Sequence, residues 1–143
     1  MPLAERLIVI AFLAQIVWTF VVAFLAGRAR FRAAARHEIK GDISLDMNAM
    51  PIYARKISNN MNNQWETPTL FYALILLALV LHLSSLLLAV FAFIYLASRV
   101  LHTYIHATFN KVIIRSQAFF IGIGALIAMT IVIILDLLTG SII

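Results

Sequence analysis

Apolar residues run without alternation through four stretches of the chain, residues 7–26, 67–83, 86–105 and 118–139. A bilayer core about 30 Å thick takes about 20 helical residues to cross, so each stretch is a candidate span. Inside lipid only helices or closed barrels satisfy the backbone, and continuous rather than alternating patterning selects helices. The expected fold is an all-α integral membrane protein, a four-helix bundle forming one domain over residues 1–143. The first helix should run on past the lipid, because Arg28, Arg32 and Arg36 recur every four residues among good helix formers. Gly41-Asp42 should then turn the chain. The second helix should start at Pro51, with Asn48 as a cap, and run through Asn63 into the membrane. Pro68 should kink it and free the carbonyl of Gln64. The link near His82–Ser85 is short enough that the second and third spans should be antiparallel neighbours.

Composition agrees with this picture. Hydrophobic residues make up 64% of the chain, against about 45–50% in soluble domains. The basic cluster follows the first apolar run instead of preceding it, so that run should be a retained helix rather than a signal peptide. Seven of the eleven Lys and Arg residues, Arg28, Arg30, Arg32, Arg36, Lys40, Arg55 and Lys56, fall in the first connection. Lys111 and Arg115 flank the third connection, and the second has neither residue type. Basic connections stay in the cytoplasm, so both termini should be non-cytoplasmic. The net charge of +5 then faces anionic membrane lipid, and no aromatic–basic platform points to nucleic acid. With no cysteine, the chain has no thiol nucleophile of its own.

Polar side chains interrupt this apolar background at matching helix ends. Asn59, Asn63 and Glu66 are spaced by four and three residues and share a helix face. Arg99, His102 and His106 share a face of the third span. An ionised Arg at the centre of a spanning helix costs about 2.5–3.5 kcal/mol on insertion scales, so Arg99 should pair with Glu66. His102 and His106 stand four apart, as metal ligands can, but lack a third ligand unless Glu66 supplies it; no metal is expected. Arg115 opens the last span, with Lys111 one turn before it. A cation there can hold an anion at the membrane edge and favour a thiolate over a thiol. Tyr53, Trp65, Tyr72 and Tyr104 fall near interfaces, where aromatic belts are routine. Gly122, Gly124 and Ala125 permit close helix approach. The first span contains only Gln15 as a strong polar group, with no acid for proton-coupled drug efflux.

Three segments resemble a known family. Asn63-Gln-Trp-Glu66-Thr-Pro68 is similar to the Asn-x-x-Glu motif of the MAPEG family, the membrane-associated proteins in eicosanoid and glutathione metabolism. Arg99-Val-Leu-His102-Thr is similar to the Arg-x-x-His-Thr segment of its microsomal glutathione transferases. Arg115, sixteen residues after Arg99 and ahead of Phe119-Phe120-Ile-Gly122, sits in a matching context. The resemblance implies a homotrimer that binds glutathione as co-substrate between subunits near the cytoplasmic face. A small hydrophobic electrophile or lipid peroxide would enter from the bilayer. Arg115 would stabilise the glutathione thiolate; Asn63, Glu66, Arg99, His102 and His106 would hold the polar parts. The family often has Arg four residues before the motif Asn, where this chain has Asn59, with Lys56 one turn earlier as replacement cation. It often has Tyr where this chain has His106. The implied activity is a glutathione-dependent transferase or peroxidase; the alternative is a non-catalytic member binding lipid or another anionic ligand.

Overall fold

A computed structural model describes residues 1–140. Among them the chain is helical wherever it is regular: α1 (Leu3–Ala35), α2 (Ile52–Asn62), α3 (Thr67–Val80), α4 (Leu86–Ala107) and α5 (Val112–Thr139), with a short 3₁₀ turn at Met47–Ala49. Three of these, α1, α4 and α5, are long and apolar enough to cross a bilayer unaided. The fourth, α3, has 14 residues and is about 21 Å long at about 1.5 Å per residue.

At 33 residues, or about 50 Å, α1 exceeds the bilayer by nearly half its length. As the arginine spacing predicts, it projects outward. There Ala33 is buried against Met50 and Ala54, and Arg30 Nε donates to Ser58 Oγ at 3.0 Å, fixing α2 to α1. Gly41, at φ 137°, opens the expected turn, and Asp42 accepts from the backbone and hydroxyl of Ser44 at 2.8 and 2.6 Å. Those hydrogen bonds hold the Asp42 carboxyl below the usual carboxylate range. Asn48 does not cap α2; it accepts from the Arg55 side chain, and Asp46 caps the 3₁₀ turn instead.

The second helix is broken rather than kinked. It stops at Asn62, and α3 begins afresh with Pro68 in its first turn. Proline lacks the N–H that a helix interior needs, but an N-terminal turn leaves that group unpaired anyway. The break at residues 63–66 takes the place of the expected kink.

Nor are α3 and α4 close neighbours, despite the five residues between them. The backbones of α4 and α5 pack most intimately, α1 lies against both α3 and α4, and α3 closes the ring against α5. This order puts α3 diagonally across from α4, and Phe71 and Tyr95 fill the middle, stacked with centroids 4.6 Å apart. His82, at φ 56°, ends α3, and Leu83 N–H returns to Ala78 O, so the chain can cross the bundle floor before Ser85 caps α4. The core around that pair is built from Ile8, Ala11, Ile75, Ala92, Ala125 and Met129. Since lipid is as apolar as these side chains, close packing rather than water exclusion holds the helices together. Gly122 is where α5 comes nearest: a Cβ there would sit 2.6 Å from Ser98 Oγ. Gly124 has open space instead.

Candidate functional site

The break between α2 and α3 exposes backbone groups at a depth where lipid cannot solvate them, which is tolerated only where protein or a cavity covers them. Arg99 supplies that cover. Counting from Leu86, it lies about 20 Å along α4, roughly two-thirds of the way across a ~30 Å core. It is 1% exposed, and its Nη2 donates to Asn63 O at 2.9 Å. The expected ion pair with Glu66 does not form. Glu66 is exposed at the head of α3, within electrostatic range of Arg99 but beyond contact. Breaking the helix gives the buried guanidinium a carbonyl partner that an intact helix would have used internally.

From Asn63 the network runs on to α5. Asn63 Nδ2 lies 3.4 Å from His102 Nε2, and His102 Nδ1 lies 3.2 Å from Arg115 O. A carbonyl oxygen only accepts, so Nδ1 carries the proton and donates, leaving Nε2 to accept from Asn63. Arg115 Nη1 donates to Asn110 Oδ1 at 2.7 Å. Asn110 holds a left-handed backbone, φ 47°, which asparagine tolerates better than most residues. Four of the sequence-predicted residues, Arg99, Asn63, His102 and Arg115, are thus joined in one chain of hydrogen bonds that links the break to α4 and α5.

The other predicted residues take different positions. His106 is buried beside His102, the two rings nearly perpendicular with centroids 6.0 Å apart, and it lies within electrostatic range of Lys56 and Arg115. Lys56 is half-buried on α2. Asn59 is exposed, so the expected Asn59–Asn63–Glu66 stripe is not one face of one helix. Its neighbour Asn60 is fully buried and accepts from Thr103 Oγ1 at 3.5 Å. Among the described residues no three His, Asp or Glu side chains gather to hold a metal ion.

Sequence reasoning gave no place in the site to Asn60, Thr103, Gln64, Gln15, Tyr95 and Asn110. Gln15 Nε2 donates to Gln64 Oε1 at 3.4 Å, tying the middle of α1 to the break. Tyr95 OH donates to Thr67 Oγ1 at 3.1 Å, one turn below Arg99. Tyr72 OH lies 3.3 Å from Thr19 Oγ1, linking α3 to α1. A usable signal was present for two of them: Tyr95 and Thr103 flank Arg99 at four residues on either side and so share its face.

Arg99 Nε, His106 Nδ1, Asn60 Nδ2 and Gln64 Nε2 are buried with no partner among the described residues. Three of these atoms are N–H donors, and two of the site's side chains are guanidinium cations. An anion with several acceptor oxygens and amides matches that set.

The chain matches the model of the MAPEG family over residues 8–135. No curated protein and no solved structure matches it significantly.

Proposed function

The chain belongs to the MAPEG family, and from that membership we propose that it is a glutathione-dependent transferase or peroxidase acting on hydrophobic electrophiles or lipid peroxides. At the coarser level, membership makes it an integral membrane protein with a glutathione-related or eicosanoid-metabolic role. The observation that carries the finer reading is the hydrogen-bonded chain from Arg99 through Asn63 and His102 to Arg115. It ties Arg99 to the Arg115 backbone, while Asn110 holds the half-buried Arg115 guanidinium at Nη1 and leaves its other nitrogens for an anion. Arg99, Asn63, His102 and His106, with Glu66, Lys56 and Asn59 at the rim, would hold the polar parts of glutathione. A homotrimer with sites between subunits belongs to the same reading.

In this mechanism the protein supplies charge and position. A free thiol has a pKa of about 8.5, and a cation within about 4–6 Å lowers such a value by about 1–3 units. Arg115 would hold the sulfur as thiolate, its proton passing to water. The sulfur then bonds to the electrophilic atom as the leaving group departs with the broken bond's electrons. Orientation by Asn63 and Arg99 turns this bimolecular step into one between held partners.

A second reading, a non-catalytic member binding lipid or another anionic ligand, is favoured by the exposure of Asn59 and Glu66 away from Arg99. Titration of the detergent-purified protein with glutathione, read by thiolate absorbance near neutral pH, separates the two. The proposal expects a saturable signal that vanishes in Arg115→Ala and survives in Arg115→Lys. Absence of both signal and binding would leave the non-catalytic reading.

A further inference from the structure

The outer face of α1 and α4 carries a continuous furrow that contains none of Arg99, Asn63, His102 and Arg115. Its main section, about 770 Å³, is lined by Trp18, Leu25, Phe93, Ala97, Val100 and Tyr104, among others. Toward the far side of the bilayer it passes through Phe93 and Ala97 into a second apolar section reaching Leu7 and Leu86. Toward the α2 side it passes through Leu25 and Ala107 into a smaller section of about 250 Å³, where Arg28, Arg32 and Tyr53 form the wall. The furrow is therefore greasy along its length and cationic at one end.

Its dimensions and chemistry suit one kind of molecule. From Ala107 to Phe93 is fourteen residues of α4, about 21 Å, a little more than one leaflet of a ~30 Å core. Arg28 lies just past the apolar run of α1, at the level where lipid headgroups begin. Arg28 and Arg32 stand one helical turn apart on one face. Arg32 lies over the Tyr53 ring at 5.6 Å, and Tyr53 OH donates to Glu38, whose other oxygen faces Arg36. The nearby carboxylate is thus engaged with Tyr53 and Arg36, and the two arginines keep their positive charge toward the furrow mouth. An apolar helix from another copy would fill the furrow but would leave that charge unanswered.

We propose that this furrow is a binding site for an anionic phospholipid of the leaflet on the α2 side. Its phosphate rests on Arg28 and Arg32 and an acyl chain lies along Leu25, Val100, Ala97 and Phe93. The furrow touches the polar residues only at Thr103, which lines it and donates to Asn60, since Arg99, His102 and His106 occupy the opposite face of α4. Two basic side chains at a membrane surface favour an anionic over a zwitterionic lipid by about fivefold each, roughly thirtyfold together.

Trp18 lines the furrow and gives a direct readout, because the only other tryptophan, Trp65, can be removed as Trp65→Phe. In that background, Trp18 fluorescence is measured in phosphatidylcholine vesicles doped with tail-brominated phosphatidylglycerol or tail-brominated phosphatidylcholine. The brominated anionic lipid should quench at a mole fraction roughly thirtyfold lower. Arg28→Ala/Arg32→Ala should erase that preference, and Ala97→Phe should weaken quenching by the anionic lipid while leaving both arginines in place. Equal quenching by both lipids overturns the proposal in favour of ordinary lipid solvation. No quenching by either overturns it in favour of a second copy covering the furrow. Loss of the preference on adding inorganic phosphate overturns it in favour of a free-phosphate site.

Discussion

Gly122→Ala tests the closest helix contact in the bundle. The added Cβ would meet Ser98 Oγ at 2.6 Å, with Ser98 Cβ and Tyr95 Cδ2 at 3.7 Å. Ordinary contact begins near 3.4 Å, so the gap is short by 3.4 − 2.6, or 0.8 Å. Ser98 cannot turn away freely, because its hydroxyl donates to Tyr95 O at 2.6 Å. Giving up that bond costs about 0.5–1.5 kcal/mol, and prising α4 from α5 costs about 1–3 kcal/mol. The cheaper route sets a steric penalty of about 0.5–1.5 kcal/mol. Alanine also gains up to about 1 kcal/mol over glycine in helix propensity, which would mask the clash in a single variant. Gly124→Ala removes that ambiguity: it takes the same propensity gain in the same helix with nothing within 4 Å. Gly122→Ala should therefore be less stable than Gly124→Ala by about 0.5–1.5 kcal/mol, a difference of about 1–5 °C in unfolding midpoint in detergent. Adding Ser98→Ala to Gly122→Ala should recover most of that difference. Equal stability of the two single variants within about 0.3 kcal/mol, or no recovery in the double variant, would refute the close-approach reasoning.

Asn110→Gly preserves the left-handed backbone while deleting the acceptor of Arg115, so the fold should persist and the glutathione thiolate signal should weaken; an unchanged signal would remove Asn110 from the site. Asn110→Ala should in addition lower the unfolding midpoint, by about 1–2 kcal/mol of left-handed strain. Gln15→Leu strands the Gln64 amide in the interior and should destabilise the detergent-solubilised protein by about 1–3 kcal/mol, whereas Gln15→Leu/Gln64→Leu should come close to wild type. The hydrogen bond to Glu38 raises the Tyr53 phenol above its ordinary 10.0. Its contribution is complete below pH 10 and is lost as pH rises through the raised value, the sign expected for an acid favoured in its neutral form. Phenolate absorbance, taken as a difference against Tyr53→Phe, should shift to lower pH in Glu38→Gln.

Apolar run length located the three helices long and apolar enough to cross lipid, and the shorter α3 with them, because lipid penalises polar side chains along a whole segment and so writes its constraint continuously into the sequence. The starts and stops of the polar elements were harder. Pro68 is compatible with a kink inside one helix or with the first turn of another, and only the demand of Arg99 for a carbonyl decides between them. That demand comes from a residue more than thirty positions away. Asn59 and Asn60 are adjacent and chemically alike, yet one is exposed and the other buried; the phase of α2 follows from the Arg30–Ser58 anchor to α1, which local periodicity does not encode. Linker length suggested that α3 and α4 are side by side, but five residues suffice to reach the diagonal once Phe71 and Tyr95 occupy the space between.

The brevity of α3 bears on how the protein is made. A helix of 14 residues opening with Thr-Pro-Thr is too short to partition into a bilayer alone while the ribosome is still translating. The 22 residues of α4, only five positions downstream, are sufficient. The two must therefore enter as a unit, with α4 drawing α3 across and the break coming to rest against Arg99 only once both are in place. A nascent chain cut after Val80 should leave α3 on the surface, and one cut after Ala107 should hold it across the membrane.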